Sequence, residues 1–89
     1  MAHEELKAAS DDLRAAAEDA SGELQSRIYD QSNQLADLAA ADRGPDHGRL
    51  ARHMNALTEI ADAADGTVRE RVESAYDHVE EYRSGVSGV

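Results

Sequence analysis

Residues 4–24 read as three consecutive sevens, EELKAAS, DDLRAAA and EDASGEL. Each opens with an acidic pair: Glu4-Glu5, Asp11-Asp12 and Glu18-Asp19. Leu6, Leu13 and Ala20 recur at the same interval, and Lys7 and Arg14 each follow an acid by three residues. A seven-residue repeat of apolar positions with charged flanks describes an amphipathic helix in need of a partner helix. It specifies packing and carries no chemistry of its own.

The same stripe extends well past the third seven. Leu6, Ser10, Leu13, Ala17, Ala20, Leu24, Ile28, Gln31, Leu35 and Leu38 follow in steps of three and four. Two adjacent fours around Leu24 read as a stutter, which unwinds a supercoil locally without ending the helix. The reading is therefore one long first helix over about 3–42. Ser21-Gly22 is its weak point, because an interior glycine costs about 1 kcal/mol relative to alanine. A break at Gly22 gives the alternative, an up-down four-helix bundle.

Two shorter helices follow. Gly44-Pro45 stops the first, and Asp46 is placed to cap a second over about 46–65, with the stripe Leu50, Met54, Leu57, Ala61, Ala64. Gly66 ends it. Thr67 and Glu70 fit the capping box of a third helix over about 67–84, with the stripe Val68, Val72, Ala75, Val79, Tyr82. Residues 85–89 read as a frayed tail. No segment alternates with the two-residue period of a strand. The prediction is an all-α, antiparallel three-helix protein, a single helical domain over 1–89.

Length then predicts a partner. A helix over 3–42 is ~60 Å long at 1.5 Å per residue, and the two shorter helices, ~28 Å each, cover only its second half. Leu6, Leu13, Ala17, Ala20 and Leu24 are left on an overhang, and a homodimer through them is the expected solution.

Composition limits the chemistry. The net charge is −10, Lys7 is the only lysine, and cysteine, tryptophan and phenylalanine are absent. Disulfides, zinc–thiolate sites and thiol nucleophiles are excluded. The negative field argues against nucleic acid as a partner. No apolar run approaches a membrane span and no secretory signal opens the chain, which predicts a cytoplasmic location. Leu, Ile, Val and Phe make up fewer than a fifth of the residues, a composition near that of disordered chains. The periodicity of the apolar residues and the abundance of alanine argue for a fold nonetheless.

No nucleophile elbow, phosphate-binding loop or paired-histidine metal motif is present. The chain reads as a non-enzyme, with no catalytic, cofactor-binding or metal-ligating set. The local departure is RGPDHGRLARH at 43–53, where Arg43, Arg49 and Arg52 stand against Asp46 alone, joined by His47 and His53. Two readings compete. Arg49 and Arg52 compensate Asp37 and Asp42 across the turn, or the segment is a patch for an anion or an acidic partner.

The stretch ADAADGTVRERVESAYDHVEEYRSGV, with the acidic opening sevens, resembles a group of small helical proteins of halophilic archaea known as a domain of unknown function. The resemblance implies a salt-adapted, cytoplasmic helical protein and transfers no site residues. The leading functional expectation is a helical protein–protein interaction or assembly module that self-associates through its first helix. One alternative is an acidic decoy for a basic protein, prompted by the regular acid pairs. Another is a metal or small-ligand bundle built on His53, His78 and nearby glutamates.

Overall fold

The structure, a computed structural model, describes residues 3–85. Four helices follow one another: α1 (Glu4–Glu18), α2 (Gly22–Ala40), α3 (His47–Ala63) and α4 (Gly66–Ser84). There is no strand among the described residues. The all-α class is as expected, and the arrangement is the four-helix alternative. The long first helix is not formed, because α1 stops at Glu18 and the chain reverses through 19–21 into α2.

The reversal has a local cause. Ser21 is extended, and Gly22 opens α2 with φ +62°, a left-handed backbone that a Cβ disfavours. The turn into α4 repeats the device: Asp65 is extended and Gly66 has φ +58°. Asp65 therefore precedes α4, and the expected Thr67 cap lies one residue inside the helix. Asp46 does cap α3, its side chain accepting from the Arg49 amide at 2.8 Å.

α1 packs along both α2 and α4, α3 packs on α4, and α2 and α3 meet least. Most large apolar positions of the stripes lie in the core: Leu6, Leu13, Ile28, Leu35, Leu50, Leu57, Val72 and Val79, with neighbouring Ile60, are at most 1% exposed, while Leu24 and Val68 are partly buried against them. Ala9, Ala16, Ala17 and Ala75 fill the spaces where helices approach closely.

The hairpin removes the overhang, and with it the expected dimer interface. Leu6, Leu13 and Ala17 are fully buried within one chain, and Ala20 and Leu24 are partly buried against the same core. α2 supplies the partner surface that the sequence assigned to a second copy. Of the tail expected over 85–89, Gly85 closes α4 and the rest lies outside the described residues.

Candidate functional site

The acidic sevens have an intrachain use. The second acid of each pair, Glu5 and Asp12 on α1 and Asp19 at its C-cap, contacts α4. Glu5 Oε1 accepts from His78 Nδ1 at 2.6 Å. Asp12 Oδ2 accepts from Ser74 Oγ at 2.7 Å and lies 3.6 Å from His78 Nε2. Asp19 Oδ2 pairs with Arg71 Nη1 at 3.0 Å, and the same guanidinium nitrogen donates to the Ala15 carbonyl. At the end of this seam Tyr82 and His3 meet at 3.0 Å through the Tyr82 hydroxyl and His3 Nδ1. Arg71, Ser74, His78 and Tyr82 thus form one ladder along α4, matched to carboxylates seven apart on α1. The first acids of two pairs, Asp11 and Glu18, are exposed, and Asp11 joins Lys7 at 3.4 Å on its own helix.

The ladder is anchored under Gly44. A Cβ there would collide with the Tyr82 hydroxyl and stand 3.2 Å from His3 Cε1. The α2–α3 loop is thereby seated on the start of α1 and the end of α4.

A second polar junction sits where α2 and α3 meet. Gln31, the polar interruption in the first stripe, accepts from His53 Nδ1 at 2.7 Å. His53 is 5% exposed. Burial holds its pKa below the usual histidine value, and the positive charges of Arg49 and Arg52 lower it further. Arg27 and Glu59 form an exposed pair at 3.8 Å across the same two helices.

The basic segment divides. Arg43, Arg49 and Arg52 are exposed, His47 is half-buried, and His53 turns inward and leaves the patch. Among the described residues none of the three arginines has a carboxylate within ion-pair distance, so the expected compensation by Asp37 and Asp42 is not formed. His53 and His78 serve separate junctions. Among the described residues no group of three or more His, Asp or Glu side chains is placed to hold a metal ion.

Two open grooves lie on the described surface. One of about 660 Å³ between α1 and α2 has Ala36, Ala39 and Ala40 as its floor and Lys7 and Arg14 on its rim. The other, about 350 Å³ between α3 and α4, sets Asp62, Glu73 and Asp77 around Leu57 and Tyr76. His3 and Ser10 also line the first groove, but each is engaged elsewhere, His3 with the Tyr82 hydroxyl and Ser10 with the Ser32 carbonyl. Among the described residues no helix is long and apolar enough to cross a membrane.

Helical hairpins of this kind, tied by polar seams, define a small acidic four-helix protein. The chain belongs to a family of unknown function, DUF7553, whose model matches residues 1–85. No curated protein and no solved structure matches it.

Proposed function

We propose that the chain is a non-enzymatic helical interaction module of a salt-adapted cytoplasm, making its contacts through charged surface rather than through an apolar stripe. The observation that carries this reading is the trio Arg43, Arg49 and Arg52. They are exposed, and among the described residues none has a carboxylate within ion-pair distance, although the molecule carries ten net negative charges. Charges that gain nothing within the subunit are free to complement a partner, where they set specificity and association rate. The apolar stripes support the same view, because they are consumed by the core.

The acidic composition supports salt adaptation. At 1 M salt the Debye length is about 3 Å, and self-repulsion among the carboxylates is largely screened. The decoy alternative has less support than the regular acid pairs suggested, since Glu5, Asp12 and Asp19 are engaged with α4.

The test is the mass of the species in molar KCl by light scattering, with any co-purifying protein identified. The reading expects a complex heavier than the 9.6 kDa chain that weakens when Arg43, Arg49 and Arg52 are changed to Gln. A lone chain at every concentration, with no co-purifying protein, overturns it.

A further inference from the structure

The outer face of α3 is self-complementary. Gly48, Arg52, Asn55, Glu59 and Asp62 are all exposed and follow in steps of four and three, so they line one stripe. Arg49 and Ala63, also exposed, widen it. The stripe is positive in the first half of the helix and negative in the second.

That polarity is the reverse of what an isolated helix favours. The macrodipole stabilises acids at the N-terminus and bases at the C-terminus. α3 has no acid in its first turn and no base in its last, while Arg49 and Asp62 sit near the wrong ends. Asp46 offsets part of this as the N-cap. A second helix lying antiparallel on the stripe would bring acids to the arginine half and arginines to the acid half.

From this we infer that α3 pairs antiparallel with α3 of a second copy, crossing between Asn55 and Ala56. At 1.5 Å per residue, Arg52 and Glu59 both lie about 5 Å from that crossing, on opposite sides. Each Arg52 then stands level with the partner's Glu59, giving two equivalent ion pairs about a two-fold axis. Arg49 and Asp62, about 10 Å out, repeat the same polarity. Gly48, Asn55 and Ala56 at the contact are small enough for close approach. Glu59 is 74% exposed and its intrachain pair with Arg27 is long, so it exchanges partners at little cost. The inference rests on the interaction-module reading and names its partner.

One helix face per subunit buries less than the ~800 Å² per partner of a standard interface, so the dimer is weak and concentration-dependent. Net repulsion between two anionic copies also has to be screened, which favours association in moderate salt over dilute buffer.

The experiment is sedimentation equilibrium up to millimolar protein in a KCl series, with circular dichroism melts to establish that each variant folds. The wild type is expected to approach twice 9.6 kDa. Arg52→Glu and Glu59→Arg should each weaken association by about tenfold or more, because each sets like charges together at two places. The double reversal, Arg52→Glu with Glu59→Arg, restores opposite charges and should restore the dimer. A wild type that stays single while a different protein co-purifies overturns the dimer and leaves the module reading standing. A dimer unaffected by Arg52→Glu overturns the α3 interface alone. Absence of both self-association and any other partner overturns both.

Discussion

Ser10 and Ser32 hold each other across the α1–α2 crossing. Ser10 Oγ donates to the Ser32 carbonyl at 2.9 Å, and Ser32 Oγ donates to the Ser10 carbonyl at 3.1 Å. Both side chains are buried. Each hydroxyl finds its acceptor on the opposite helix, so neither competes with its own helix backbone. The pair lies symmetrically about Ser21, the turn residue, and fixes the two arms of the hairpin face to face.

This reciprocity predicts strong coupling. Ser10→Ala or Ser32→Ala alone should each cost about 1 kcal/mol, since each removes a donor from a buried carbonyl and leaves the facing hydroxyl in altered surroundings. The double alanine variant should cost distinctly less than the two singles added, because it removes both hydroxyls together and alanine suits a close helix approach. Urea titrations of the four species complete the cycle. Strict additivity would mean that the two serines act independently.

The seam between α1 and α4 separates the two members of an acid pair. Asp12→Ala removes the acceptor of Ser74 and the near neighbour of His78, and should destabilise by about 1 kcal/mol. Asp11→Ala removes an exposed i,i+4 partner of Lys7 and should stay within about 0.5 kcal/mol of the wild type. Thermal melts at one salt concentration compare them. Equal effects would show that α1 presents both acids to water.

Glycine makes the bundle out of what the stripe alone would leave as a rod. Gly22 has open space around its Cβ position, so Gly22→Ala meets no clash and suffers only the left-handed backbone, at about 1–2 kcal/mol. Gly44→Ala acts differently, by driving the Tyr82 hydroxyl away from His3. It should cost a similar amount and alter the near-ultraviolet signal of tyrosine, which Gly22→Ala should leave unchanged. If Gly44→Ala is neutral in both measurements, the loop is not seated on that pair.

Much of this fold was legible from residue order, and the exception is physical. The stripes from Leu50 to Ala64 and from Val68 to Tyr82, and the Asp46 cap, read directly because each is a local pattern on a single helix. The reversal at 19–21 was hidden because apolar residues continue at steps of three and four across it, from Ala17 through Ala20 and Leu24 to Ile28, although 19–21 are not helical. The double four around Leu24 was its trace. A clearer signal was the match between Ser21-Gly22 and Asp65-Gly66, the same pair of positions in both hairpins. The seam was hidden for another reason: on an acid-rich chain, Glu5, Asp12 and Asp19 look like a solvated face. Only the approach of Arg71, Ser74 and His78 distinguishes them from their neighbours. Arg49 and Arg52 were marked by local charge, whereas the inward turn of His53 follows from where α2 lies.

His53 gives a pH dependence with a definite sign. Its pKa in the folded chain is lowered from 6.5, first by burial and then by Arg49 and Arg52. The unfolded chain therefore binds a proton at His53 more readily than the folded one, and in that range stability rises with pH. The stabilisation is fully present above the unfolded value of about 6.5 and is lost as pH falls from there towards the folded value. His53→Gln keeps a donor within reach of Gln31 and cannot titrate. Urea unfolding at half-unit steps from pH 8 to pH 5.5 should show the wild type losing stability across the lower part of the range, with a shallower fall in His53→Gln. The arginines deepen the same shift, so Arg49→Gln with Arg52→Gln should bring the folded pKa back toward 6.5, making the fall smaller and completing it at higher pH without abolishing it. Parallel curves for wild type and His53→Gln would show that the ring is solvated, and that the contact between α2 and α3 does not depend on its neutrality.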